Sequence, residues 1–153
     1  MSWLSDNEII NKIKKNADLK TLKAFGGVYA MDDLPKFIPH YPFMAVINTQ
    51  SHNLSGEHWI GIYIDKNRRG EVFDSLAIPT SLFLMRWLNR HTRSWRKNSH
   101  RYQNPLSLSC GGFVLFYVLH RSECDMMECV TNRFSASYPT NEKLVRDFYN
   151  RLK

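Results

Sequence analysis

The sequence predicts an α+β fold, a small mixed β-sheet packed against one central buried helix. Three observations carry that expectation. Strand-like apolar segments, Phe43-Met-Ala-Val-Ile47, Trp59-Ile-Gly-Ile-Tyr-Ile64 and Glu71-Val-Phe73, come before the helical patterns rather than alternating with them. A continuous apolar run, Phe113-Val-Leu-Phe-Tyr-Val-Leu119, is too apolar all round for a surface element. With 153 residues, 43% of them apolar, the chain has the size and composition of one domain, spanning 1–153, with a single core.

Each element follows from local chemistry. Ser5-Asp6-Asn7-Glu8 matches a capping box ahead of Ile9, Ile10 and Ile13, so a first helix runs to about Asn16. Gly26-Gly27 and the series Pro35, Pro39 and Pro42 predict a loop-rich approach to the first strand. The three strands read as consecutive and mostly antiparallel, with Asp65 to Gly70 as a turn. After Pro79, the residues Leu84, Trp87, Leu88, His91 and Trp95 recur at helical spacing, while Arg86, Arg90, Arg93 and Lys97 recur on another face. Gly111-Gly112 before the apolar run and His120-Arg121 after it favour a helix there, starting near Cys110. A last amphipathic helix follows Pro139-Thr140, with Leu144, Val145, Phe148 and Leu152 inside. Repeats, low-complexity tracts and linkers are missing from the pattern.

Composition bounds the function. Twenty-one Lys and Arg against fourteen Asp and Glu give a formal charge of +7, which favours polyanionic or acidic partners. No window approaches the roughly 18 apolar residues needed to cross a bilayer, and the N-terminus lacks a signal pattern, so a soluble chain with no membrane partner is expected. Three cysteines, Cys110, Cys124 and Cys129, argue by their odd number against a disulfide framework and for a reducing compartment; Cys124 and Cys129 are expected to be plain thiols. The triplet Asn53-Leu-Ser55 matches a glycosylation acceptor by chance. A metal reading of His120-x3-Cys124-x4-Cys129 lacks a fourth ligand and matches no common zinc spacing, so no metal or small-molecule cofactor is expected.

One constellation points to chemistry. A thiol nucleophile acts as thiolate, and the start of a helix favours negative charge, which is where Cys110 falls. His58 stands just before a strand, placed to act as general base, and Asp74 just after the next one, placed to orient the imidazole. Gln103, seven residues before Cys110, offers an amide to an oxyanion. The turn makes a geometric demand: if Ile64 faces Glu71, Asp74 falls opposite Gly61 and its side chain lies on the other face from His58. The pairing must therefore shift by one, bulge, or leave Asp74 beyond the strand end.

Gly56-Glu-His-Trp59, Val72-Phe-Asp74 and Gln103-x6-Cys110-Gly111, together with Ala45-Val-Ile-Asn-Thr49 and Phe116-Tyr-Val-Leu-His120, resemble the adenovirus-type cysteine endopeptidases (adenain), in the clan that contains the SUMO-specific proteases. The resemblance implies a papain-like or adenain-like fold and a cysteine endopeptidase that cuts precursor proteins after small, glycine-containing segments. Its catalytic set would be Cys110 as nucleophile, His58 as base and later acid, Asp74 as third member, and Gln103 with the Cys110 backbone N–H as oxyanion hole. Trp59 and Gly111 would line a narrow substrate channel. The adenoviral enzymes carry Glu at the place of Asp74, and no cysteine precedes Cys110 here to receive a disulfide-linked peptide activator. A peptide activator is left open on these grounds. The resemblance also implies DNA as an activator and non-specific nucleic-acid binding, for which Arg86, Arg90, Arg93, Lys97 and Arg101 are the candidates, within a stretch free of Asp and Glu from Ser75 to Ser122. Such an enzyme is expected to be a monomer acting on a polypeptide, in a virion or host nucleus. The rival readings are a deSUMOylating or deubiquitinating isopeptidase and an inactive basic nucleic-acid-binding protein of the same fold.

Overall fold

A computed structural model describes residues 3–49 and 58–153; the Asn53 triplet and the Gly56-Glu57 part of the His58 motif lie outside them. Helix α1 (Asp6–Asn16) begins at the expected capping box: the Glu8 backbone N–H donates to Ser5 Oγ, and Ser5 N–H donates to the Glu8 carboxylate. A short α2 (Leu19–Ala24), capped by Asp18, leads into β1 (Phe25–Ala30). Then follow β2 (Phe43–Asn48), β3 (Trp59–Ile64), β4 (Arg69–Phe73), α3 (Leu82–His91), β5 (Ser94–Lys97), α4 (Cys110–Arg121), α5 (Met127–Thr131) and α6 (Tyr138–Arg151).

Among the described residues the strands form one sheet in the order β1-β2-β3-β4-β5. The central pairs β2–β3 and β3–β4 are antiparallel, while β1 and β5 join the two edges in parallel. Two expectations are corrected here. Gly26 and Gly27 belong to a strand rather than a loop: the missing side chain at Gly26 leaves room for the Phe43 ring to lie against the backbone. The helix after Pro79 stops at His91, because Thr92 takes an extended conformation (φ −126°, ψ 158°) and Ser94–Lys97 pairs with β4. Trp95, Arg93 and Lys97 therefore do not continue the faces of α3.

Period-two alternation divides the core between the two faces of the sheet. Met44, Val46, Trp59, Tyr63 and Phe73 pack with α1, α4 and α6; Phe43, Ala45, Ile47, Ile60, Ile62, Ile64 and Val72 pack with Leu84, Trp87 and Leu88 of α3. Helix α4 lies on the first face as the expected central helix, apolar nearly all round. It sits directly on β3 at Gly61, where a Cβ would meet Tyr117 Cδ2 at 2.7 Å.

The far end of α4 is tied by a buried ion pair. Arg121 donates through Nε and Nη2 to the two Glu71 carboxylate oxygens (2.8 and 3.0 Å), Tyr117 O–H donates to the same carboxylate, and Arg121 Nη1 donates to the Cys124 carbonyl (2.7 Å). The guanidinium also stacks over Tyr63 at 4.1 Å. Arg121 thus contributes nothing to a basic surface. Just beyond, Cys124 and Cys129 form a disulfide across the turn into α5. This corrects the reading of both as plain thiols: an odd cysteine count requires one free thiol, and the turn brings these two Cα atoms within 5.7 Å. The disulfide also withdraws the cysteine-based argument for a reducing compartment. No helix among the described residues is long and apolar enough to cross a membrane.

The ion pairs separate by burial. Glu71→Ala leaves the Arg121 cation buried and unpaired, so chemical denaturation should show a loss of about 3–5 kcal/mol. Arg96→Ala, which opens the exposed Arg96–Glu128 pair, should cost no more than about 1 kcal/mol. Equal losses for the two variants would contradict this account of what holds α4.

Candidate functional site

The observed register answers the geometric demand raised by the turn. Ile64 pairs with Gly70, not Glu71, and Gly61 with Phe73, so the ladder is shifted by one and Asp74 follows directly opposite Ile60. His58 and Asp74 therefore share one side, each one residue outside its strand. Alternation assigns that side to the α3 face, yet Cys110 comes from α4 on the other. His58 and Asp74 lie past the last ladder pair of β3 and β4, where the imidazole reaches over the end of the sheet toward the start of α4.

His58 Nε2 and Asp74 Oδ1 are 2.6 Å apart, and both side chains are almost fully buried. Backbone N–H groups of Leu76 and Ile78 also donate to the Asp74 carboxylate (2.9 and 3.2 Å), so the turn after β4 wraps the carboxylate and aims it. With Nε2 engaged, the nitrogen left to face Cys110 is Nδ1, which is buried. Burial alone would push the His58 pKa down; the hydrogen bond to Asp74, then the interaction with Cys110 and the charges of both, outweigh it and raise it to about 9. Cys110 is the first residue of α4, 2% exposed, and the one of the three cysteines outside the disulfide.

Other expected residues fall near the site with different surroundings. Gln103 is buried; its Oε1 accepts from Ser75 Oγ (2.6 Å), and its Nε2 donates to Ser107 O and Oγ (3.1 and 3.2 Å). Trp59 is buried at the start of β3, with its indole N–H donating to the Leu4 carbonyl (3.0 Å) and its ring stacked on Trp3. Gly111 packs against Leu4, whose Cδ1 would stand 2.8 Å from an added Cβ. The faces of Trp59 and Gly111 turned to Leu4 are thus covered by the N-terminal segment.

The five basic residues do not form one stripe. Arg86 and Arg90 are exposed on α3, but Arg93 lies in the turn after it. Lys97 is half-buried on β5, where Nζ donates to the Ile78 carbonyl and lies 3.9 Å from Asp74 Oδ2. Arg101 Nε donates to the Leu76 carbonyl (2.9 Å). Lys97 and Arg101 thus fasten the turn that holds Asp74.

Sequence reasoning missed Asn98, which clamps Asp74 by accepting from its N–H and donating to its carbonyl, both at 2.8 Å. It also missed Ser75, Ser107, Ser109 and Glu142. Ser75, adjacent to Asp74 and ahead of the Gln103 loop, carried the one usable signal. The others are brought in by chain packing that local pattern does not encode.

No family model matches this chain, and no curated protein matches it. Solved structures do. The ASFV pS273R protease superposes with a TM-score of 0.59 at 18% identity over 84% of this chain and 61% of that one; a second structure of it, containing selenomethionine, gives 0.50 at 24% over 61% and 39%. The chain thus spans 39–61% of that protease's length. The central domain of Lpg1148 from Legionella pneumophila, described as uncharacterized, aligns over 96% of this chain and 99% of its own at 14% identity and TM-score 0.52. At these identities the likeness is one of fold: the α+β architecture expected from the sequence is a cysteine-protease fold.

Proposed function

We propose that this chain is a cysteine endopeptidase that cuts polypeptide precursors after small, glycine-containing segments. The observation that carries the reading is the buried His58–Asp74 pair, with the second imidazole nitrogen turned to Cys110 at the start of α4. In this reading His58 takes the Cys110 thiol proton and becomes an imidazolium held by Asp74. The thiolate adds to the scissile carbonyl carbon, and the negative charge moves to the carbonyl oxygen, met by Gln103 Nε2–H and the Cys110 N–H. Collapse breaks the C–N bond as His58 gives its proton to the leaving amine. Water, deprotonated by His58, then hydrolyses the thioester and restores the thiol.

Iodoacetamide without reductant should modify Cys110, since the other two sulfurs are joined to each other. Cys110→Ala should abolish hydrolysis of fluorogenic peptides ending in Gly-Gly, and His58→Ala should lower kcat by roughly 10²–10⁴-fold. Cleavage of intact ubiquitin-like conjugates with no turnover of short peptides would favour the isopeptidase. An unchanged rate in Cys110→Ala would end the proposal.

The raised His58 pKa gives a pH dependence of definite sign. The imidazolium is the form that protonates the leaving amine, so kcat/KM should fall as pH rises through about 9. Asp74→Asn removes a charge that holds the proton and should move that limb downward by a pH unit or more. An alkaline limb that stays in place in Asp74→Asn would contradict the coupling. The same linkage stabilises the fold fully below about pH 6.5 and is lost through about 9, so the thermal midpoint should decline over that interval.

A further inference from the structure

The Gln103 amide is held locally by the Ser107 backbone carbonyl, which accepts from Nε2, and is backed by a hydroxyl chain that reaches a distant carboxylate. Ser109 is the residue before α4, of a type that normally caps a helix, yet its hydroxyl makes no capping hydrogen bond. It donates instead to both carboxylate oxygens of Glu142 on α6, at 2.7 and 2.9 Å. A carboxylate only accepts, and a serine hydroxyl has one proton. With that proton given to Glu142, Ser109 Oγ must accept from Ser107 Oγ, 2.7 Å away. Ser107 has then spent its own proton, so its oxygen can only accept from the group facing it, which is Gln103 Nε2. At the other end Ser75 O–H donates to Gln103 Oε1. Every hydroxyl in the chain Ser75, Gln103, Ser107, Ser109, Glu142 points its proton the same way. The terminal carboxylate fixes that direction.

We infer that Glu142 is a positioning residue for the oxyanion donor, acting through Ser109 and Ser107 on the Gln103 amide. The inference rests on Gln103 serving the oxyanion as proposed above. Reversing the amide would present a carbonyl oxygen to the developing negative charge; the Ser107 carbonyl opposes that reversal and the ordered hydroxyl chain adds to it. Both acceptors of Nε2 belong to Ser107, so one N–H can be shared between them and the other is left for substrate. The inference concerns the addition step alone, since no proton leaves the chain during turnover.

Glu142→Ala should lower kcat for a Gly-Gly fluorogenic peptide by about tenfold with KM little changed, and Glu142→Asp should recover part of it. Gln103→Ala should cost roughly 10²–10³-fold. If Glu142 acts through Gln103, adding Glu142→Ala to Gln103→Ala should cost nothing further in kcat. Alkylation of Cys110 by iodoacetamide forms no oxyanion, so its rate should be unchanged in Glu142→Ala. A multiplicative loss in the double variant, slowed alkylation in Glu142→Ala, or an unaltered kcat would each overturn the inference. A wild-type chain that alkylates at Cys110 but hydrolyses no peptide would instead remove the protease reading beneath it.

Discussion

The 2.6 Å contact between His58 and Asp74 is the constraint on which the site depends. It requires two residues from different strands to share a side, and it requires both to lie beyond the ladder so that the imidazole can reach a thiol from the opposite face. A one-residue slip would send Asp74 to the other side of the sheet. The register of β3 against β4 is therefore what brings these two side chains together, and much of the neighbouring polar chemistry secures it. Asn98 holds the Asp74 backbone on both sides, the N–H groups of Leu76 and Ile78 hold its carboxylate, and Lys97 and Arg101 hold the turn carbonyls.

The third member arrives on α4, and its placement is a separate problem. Ten of the twelve residues of that helix are buried, and hydrophobic burial is non-directional, so apolar packing alone would tolerate rotation or sliding. A polar tie at its far end removes that freedom: Arg121 is fastened to Glu71, with the Cys124–Cys129 bridge closing the turn beyond. Along its length, Gly61 lets Tyr117 approach the β3 backbone and sets the depth of the helix. Glu71 comes from the strand that also leads to Asp74, so the two ends of the site are referenced to one piece of chain.

What was legible in the sequence was what local chemistry decides. The Ser5–Glu8 capping box, the alternation in 59–64 and the apolar run after Cys110 each specify an element without reference to distant chain. The candidate triad was legible too, and with it the demand that the hairpin shift its register by one, bulge, or leave Asp74 past the strand end. Missed features depend on partners far away in sequence. Strand β1 exists because β2 offers an edge to its glycines, and β5 because β4 offers one to Ser94–Lys97, which overrides a helical period that seemed continuous through Trp95. Pairing of Cys124 with Cys129 depends on the turn into α5, and the hydroxyl chain behind Gln103 ends on a glutamate 39 residues later in the chain. The basic residues show the same limit: spacing alone could not reveal that Arg121 is neutralised by Glu71 or that Lys97 turns toward Asp74.

The electrostatic coupling of His58 to its two neighbours is the centre of the account, and an NMR titration of the His58 imidazole observes it without recourse to turnover. The ring should keep its proton to about pH 9 in the wild-type chain and titrate lower in Cys110→Ala and lower again in Asp74→Asn. A midpoint near 6.5 in the wild type, unmoved by either substitution, would contradict it.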